Sequence, residues 1–218
     1  QSADYPTLFG RIRELDLSLN INPRILSHDV IVAVDSTGIK VTNRGEWMRE
    51  KWRVRRGWMK VHAMIDIETD QILGLEVTDE SVQDDPLFTP LLGQALEKCG
   101  KAHPIRQVLA DWGYSRIHGF NAMEKRGIKS GVKTRENAAT RSTGSPYRAE
   151  CVRERMKSGG YREWADETGY GMREKIEGVF SSVKRIFGES VTASSRQGIM
   201  REVMMKFNCY NLPVSMSV

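Results

Sequence analysis

Tyr170, Arg173, Glu177 and Lys184 follow one another at intervals of three, four and seven residues. At about 100° per helical residue they fall at roughly 0°, 300°, 340° and 320°, an arc of about 60° on one helix. Met172, Ile176, Val179, Phe180, Val183, Ile186 and Phe187 fall between about 160° and 280°. The four polar groups therefore run along the edge of a buried face, where a helix can aim them into a cleft. Two further acids stand after apolar runs. Residues 30–34 lead into Asp35-Ser36-Thr37-Gly38, and residues 105–110 lead into Asp111-Trp112-Gly113-Tyr114. Aspartates at strand ends often only form turns or cap helices. Open α/β sheets, however, bind ligands beyond the carboxyl ends of their strands, and two parallel neighbouring strands would make Asp35 and Asp111 adjacent there. Like charges about 4 Å apart repel by roughly 4 kcal/mol at an effective dielectric near 20. Asp35, Asp111 and Glu177 can stay ionised together only with cations among them; otherwise one takes up a proton. Oxygen-only ligands suit Mg²⁺ or Mn²⁺ rather than zinc. Two such ions about 3.5–4 Å apart serve in-line phosphoryl displacement.

The arrangement Tyr-x2-Arg-x3-Glu-x6-Lys resembles the signature of the DDE transposases of bacterial and archaeal insertion sequences. Val-Asp-Ser-Thr-Gly and Ala-Asp-x-Gly-Tyr are similar to the surroundings of that family's first two catalytic aspartates. The resemblance extends from about residue 28 to 212, and it implies an α/β, ribonuclease-H-like mixed sheet flanked by helices. It implies Asp35 as a ligand bridging two Mg²⁺ (or Mn²⁺) ions, with Asp111 and Glu177 each completing one. Lys184 would neutralise phosphate charge, Arg173 would do likewise or brace Glu177, and Tyr170 would pack or hydrogen-bond near the DNA backbone. The implied activity is DNA strand cleavage and strand transfer at mobile-element ends. The implied partners are end and target DNA and further copies of the chain, as a homodimer or higher assembly in a synaptic complex. Two alternatives stand beside it: a nuclease on the same fold that cuts without joining, and a domesticated DNA-binding or oligomerisation module. The latter is usually marked by loss of an acid, and here all three are present.

The elements that must position these groups are legible in outline. Residues 1–29 read as a lead-in, helical over 5–19 and broken at Pro23; the resemblance implies that they are the remnant of an upstream DNA-binding region. Residues 30–212 read as the catalytic domain and 213–218 as a tail. Within the domain, strands are expected at 58–67 and 71–78 around a turn at Glu68-Thr69-Asp70, and a helix at 86–98 with Asp84 or Asp85 near its N-cap. The strand before Asp111 is followed by a helix over 115–126 and a strand over 128–134. Residues 135–169 are polar and weakly periodic, reading as a loop or small insertion. The signature helix ends near Gly188, and a last amphipathic helix spans 197–212.

At 218 residues and 24.8 kDa, with 39% hydrophobic and 28% charged residues, the chain can bury one substantial core. A net charge of +5 and a pI near 9.2 favour a polyanionic partner only modestly. Cys99, Cys151 and Cys209 are odd in number and include no Cys-x-x-Cys, which suits a reduced, cytoplasmic chain; the resemblance implies that it is nucleoid-associated. No signal peptide or apolar stretch near 18 residues points to a membrane. A chain beginning at Gln1 rather than Met is expected of a fragment or processed product.

Lys51, Arg53, Arg55, Arg56 and Lys60 interleave with Trp52 and Trp58. A solvated edge strand uses such charges to block pairing, but beside a phosphoryl-transfer site contact with the DNA backbone is the better reading. His28, His62, His103 and His118 lack zinc-site spacing, and His62 reads as structural. Gly131-Val132-Lys133-Thr134 lacks the first glycine of a P-loop, so no nucleotide cofactor is expected. Ser36 and Thr37 have no histidine partner for nucleophilic catalysis. Asp66, Asp70, Asp79, Asp84 and Asp85 read as turn or cap residues, with Asp84 the exception because it follows the hairpin near the expected cleft.

Overall fold

A computed structural model describes residues 4–41, 57–141 and 143–216; Lys51, Arg53, Arg55 and Arg56 lie outside the described residues. The strands are β1 (Val30–Val41), β2 (Trp58–Asp66), β3 (Ile72–Asp79), β4 (Ile105–Ala110), β5 (Lys129–Val132) and the short β6 (Ser190–Val191). The helices are α1 (Tyr5–Glu14), α2 (Asp85–Cys99), α3 (Ile117–Glu124), α4 (Pro146–Lys157), α5 (Tyr161–Thr168), α6 (Lys175–Phe187) and α7 (Arg196–Met216).

The sheet runs β3-β2-β1-β4-β5, with β6 against the far end of β1. β1, β4 and β5 are parallel, and β2 and β3 form an antiparallel hairpin beside them. This is the mixed sheet of the ribonuclease-H-like fold. Alternation along β1 sorts its residues between two cores. Val30, Val32 and Val34 meet Phe88, Leu91 and Leu92 of α2 and Phe120 and Met123 of α3. Ala33 and Ile39 belong instead with Ile176, Val179, Phe180 and Val183 of α6 and Ile199, Val203 and Phe207 of α7. A central strand clothed on both faces explains the unbroken apolar run, mostly β-branched, that opens it. Buried Asn211 ties α7 to the sheet edge: its Oδ1 accepts from Ile72 N at 2.8 Å and its Nδ2 donates to Ile72 O at 2.9 Å.

Three expectations need correction. The first strand does not stop at Asp35. Its parallel pairing with β4 stops there, at Val34 opposite Ala110, while antiparallel pairing with β2 carries β1 on through Asp35–Ala63, Thr37–Val61 and Ile39–Met59. Ser36-Thr37-Gly38 has turn chemistry, but cross-strand pairing overrides local preference. Tyr170 and Arg173 do not share a helix with Glu177 and Lys184; they occupy a 3₁₀ turn, Tyr170–Glu174, leading into α6. In consequence Met172, expected on the buried face, is 45% exposed; Ile186, at the edge of that face within α6, is 59% exposed. Residues 135–169 contain α4 and α5. Only Ala149 and Val152 of α4 are buried, so its sequence carries almost no apolar stripe. Among the described residues no helix is long and apolar enough to cross a membrane.

Candidate active site

Asp35 lies in the interior of β1 at the point where β4 ends, and continuing the Val34–Ala110 register by one step brings Asp111 beside it. Asp35, Thr37 and Ile39 share the β1 face that looks toward α6. Asp111 follows β4 and begins a short 3₁₀ turn, Trp112–Tyr114, in which its Oδ1 accepts from Gly113 N at 2.8 Å. A Cβ at Gly113 would come within 2.9 Å of that oxygen, so a side chain there would push the carboxylate out of this position. Burial raises the pKa of Asp35 most, and the negative charge of Asp111 adds to it. The Ser36 N–H, donated to Asp35 Oδ1 at 2.8 Å, and the Arg173 guanidinium oppose the rise.

Arg173 links the acids. Its Nη1 is 2.5 Å from Asp35 Oδ2 and its Nη2 is 3.1 Å from Glu177 Oε1. The two arms differ in surroundings: the side chains of Arg173 and Asp35 are 17% and 22% exposed, that of Glu177 59%. Glu177 sits in the first turn of α6, where the helix dipole favours a carboxylate, and Lys184 in the last, where it favours a cation. Lys184 Nζ donates to Thr37 Oγ1 at 2.7 Å, pinning the far end of α6 two residues beyond Asp35 on β1. Tyr170 is buried beneath this layer, its ring centroid 5.9 Å from the Arg173 guanidinium and 5.1 Å from that of Trp164 in α5. Burial pushes its phenol up to about 12. The structure thus brings Asp35, Asp111, Glu177, Arg173, Lys184 and Tyr170 to one locality.

A second polar group adjoins it. Asp84 Oδ1 lies 2.9 Å from Lys60 Nζ and 3.2 Å from Nδ1 of the fully buried His62. His62 Nε2 is in turn 3.0 Å from Thr78 Oγ1. Although Asp84 holds the N-cap position of α2, its side chain makes no capping bond; it turns toward the hairpin cations. Burial works against its charge, but the contacts with His62, Ser36 and Lys60 outweigh this and hold its carboxyl well below the usual range. Tyr114 is buried nearby, its phenol raised by burial and by the charges of Asp84, Asp35 and Asp111. Sequence reasoning placed Lys60 with the DNA-facing ribbon and His62 among structural residues. Neither reading reveals their common partner, and the only hint was the position of Asp84.

Among the described residues no three Asp, Glu, His or Cys side chains already stand in a geometry that holds a metal ion. The donor set nevertheless suits one. Asp35 and Asp111 are neighbouring acids whose ligand atoms are carboxylate oxygens; burial raises the pKa of Asp35 most, and the charge of Asp111 adds to it, so a cation between them would be favoured. Glu177 is drawn toward Arg173, and its largely exposed side chain has room to turn.

The family model for the transposase DDE domain matches residues 26–212. The chain belongs to this family. The matched span of this transposase DDE domain takes in the whole sheet, both aspartate segments and the entire Tyr170–Lys184 segment. Among solved structures, the chain is similar to one in the cryo-EM structure of a simian T-cell lymphotropic virus intasome in complex with PP2A regulatory subunit B56 gamma. The identity is 12% and the TM-score 0.35, over 84% of this chain and 55% of that one. The chain therefore spans little more than half the length of that relative, and a likeness so remote does not bear on function.

Proposed function

We propose that this domain catalyses metal-dependent DNA strand cleavage at the ends of a mobile element, and then strand transfer of the freed 3′-hydroxyl into target DNA. The observation that carries the reading is the convergence of three acids, Asp111 beside Asp35 by strand register and Glu177 joined to Asp35 through Arg173, within a chain of the transposase DDE family. Mg²⁺ or Mn²⁺, held by Asp35, Asp111 and Glu177, would supply charge neutralisation and activation for an in-line phosphoryl displacement. The chain's own residues do the rest. Asp35 is held in place by Ser36 N–H, and Asp111 by the turn through Gly113. Arg173 keeps Asp35 and Glu177 paired before DNA arrives and is free to meet a phosphate once they are otherwise neutralised. Lys184, anchored to Thr37, presents its ammonium to a substrate oxygen on the same side of the sheet. Tyr170 supports the Arg173 guanidinium from below. Lys51, Arg53, Arg55, Arg56 and Lys60 extend phosphate contact along the DNA, and further copies of the chain bring two ends together.

The test is a cleavage assay on DNA spanning the boundaries of the native gene, with Mg²⁺ or Mn²⁺ and with EDTA, followed by a joining assay on precut ends. Cation-dependent nicking with joining supports transposition. Cutting without joining indicates a nuclease, and DNA binding with neither indicates a binding module.

A further inference from the structure

Asp84 stands where a capping residue belongs and does not cap. It holds the N-cap position of α2 with helical backbone angles, φ −70° and ψ −42°, and its side chain accepts no capping bond. The carboxylate thus forgoes the usual stabilising role of an aspartate at that position. Its partners lie behind the acids, on the α2 side of the sheet. In the antiparallel register Ser36 is opposite His62 and Gly38 opposite Lys60. Alternation turns Ser36 to the face that carries Val32 and Val34, while Asp35 and Thr37 look toward α6. Asp84 meets Lys60 and His62 through Oδ1 and takes a hydrogen bond from the Ser36 hydroxyl. Neither cation is loose. His62 is fully buried with its other nitrogen on Thr78, and Lys60 Nζ also donates to Val82 O at 3.2 Å in the loop that enters α2.

The other carboxylate oxygen turns toward the second aspartate. The point that a Cβ would occupy at Gly113 is 3.6 Å from Asp84 Oδ2 and 2.9 Å from Asp111 Oδ1, so both carboxylates close on the same glycine. Asp84 therefore touches the two residues whose N–H groups orient the acids: Ser36 N donates to Asp35 Oδ1 and Gly113 N to Asp111 Oδ1, each at 2.8 Å. The fold needs such a link. Parallel pairing of β1 with β4 ends at Val34 and Ala110, one residue short of both acids, so the ladder does not fix their separation. We propose that Asp84, clamped by Lys60 and His62, is a positioning residue that ties the Ser36 and Gly113 segments together and so sets the spacing at which Asp35 and Asp111 take a divalent ion. It is not itself a ligand: its Oδ1 already meets two nitrogens, at 2.9 and 3.2 Å. The proposal rests on the metal-site reading above and deepens it.

The test measures binding of Mn²⁺ alone, by electron paramagnetic resonance of the free ion, to the whole chain without DNA and well below its melting temperature. Wild type should bind the ion and Asp35→Asn should not. Asp84→Asn should weaken binding by about tenfold, as is typical of residues that orient metal ligands. Losing a nearby negative charge would also weaken binding, so the deciding variant is Ser36→Ala, which breaks the link and leaves every charge in place. It too should cost about tenfold, and it keeps the test open if Asp84→Asn does not fold. The double variant should bind no more weakly than Asp84→Asn alone, because both changes sever one connection. Asp29→Asn, in an exposed ion pair before the other end of β1, is the charge control and should bind as wild type does. Normal affinity in Ser36→Ala, or losses that add in the double variant, would overturn the proposal; a merely structural role lowers the melting temperature and leaves the affinity of the folded protein unchanged. Wild type that binds no Mn²⁺, or binds it regardless of Asp35→Asn, would sink the link together with the metal site. A chain that shows this coupling yet neither cuts nor joins DNA keeps the link and loses the proposed function; one that joins DNA while Ser36→Ala binds Mn²⁺ normally does the reverse.

Discussion

Replacing Arg173 with Gln removes a guanidinium that touches two of the three acids and leaves a shorter, neutral amide. The arm to Asp35 is a mostly buried charge-assisted bond, of the kind that contributes about 1.5–3 kcal/mol. The arm to Glu177 is largely exposed and contributes about 0–1 kcal/mol. Some of the loss is recovered as Asp35, already raised in pKa, takes up a proton more readily. A net cost of about 2 kcal/mol should lower the melting temperature of a domain this size by roughly 4–8 °C. Magnesium should restore part of it, since the vacated acids then bind the ion without competition from the guanidinium. At about ten times its Kd, a cation stabilises by about 1.4 kcal/mol. Thermal unfolding of wild type and Arg173→Gln, each with EDTA and with a MgCl₂ series, reads both quantities. We expect a lower starting melting temperature and a larger magnesium increment in the variant, with that increment removed by adding Asp35→Asn. A variant that melts with the wild type, or that responds to magnesium no more strongly, refutes the picture of Arg173 as the cation holding the acids together.

Asp84→Asn should destabilise the protein at neutral pH. The folded-state pKa of Asp84 is depressed, so its stabilisation is present above the unfolded value near 3.9 and fades as pH falls toward the folded value. The gap in melting temperature to wild type should therefore narrow below about pH 4, and a gap independent of pH would count against the His62–Asp84–Lys60 network. Gly113→Ala should cost most of the cleavage activity with little change in circular dichroism, because its Cβ would press on Asp111 Oδ1 at 2.9 Å; full activity would show that the turn tolerates the change. Substituting Lys51, Arg53, Arg55 and Arg56 together with Gln should flatten the slope of log affinity against log salt by roughly 2–3 if two or three of them contact phosphates, at about 0.9 per contact. An equal effect from Lys101, Lys125 and Lys129, which are exposed at or beyond the other end of the parallel strands, would mean that only net charge matters.

The strands and the two aspartates were legible because their signals are local: a β-branched run, then an acid, then turn chemistry. The register that makes Asp35 and Asp111 neighbours needs only that β1 and β4 be parallel and adjacent, which the element order suggested. What stayed hidden involves partners distant in sequence. Arg173 reaches Asp35 across 138 residues, and no spacing within the signature segment foretells that bond. His62 and Lys60 face Asp84 only once the hairpin folds beside α2. The 3₁₀ turn at Tyr170 escaped because an interval of three residues suits both helix types, and their angular steps diverge only over several residues. α4 was invisible because a helix that buries two side chains leaves no stripe to detect.

The central claim, that Asp35, Asp111 and Glu177 act as one phosphoryl-transfer site, is tested most directly by strand transfer from a precut element end. The comparison is between wild type and Asp35→Asn, Asp111→Asn and Glu177→Gln at saturating Mg²⁺, with DNA binding measured on the same samples. The three substitutions remove charge while nearly preserving shape. We expect joining by the wild type alone, with all four proteins binding the end comparably. Substantial joining by any one of the three variants would contradict the claim.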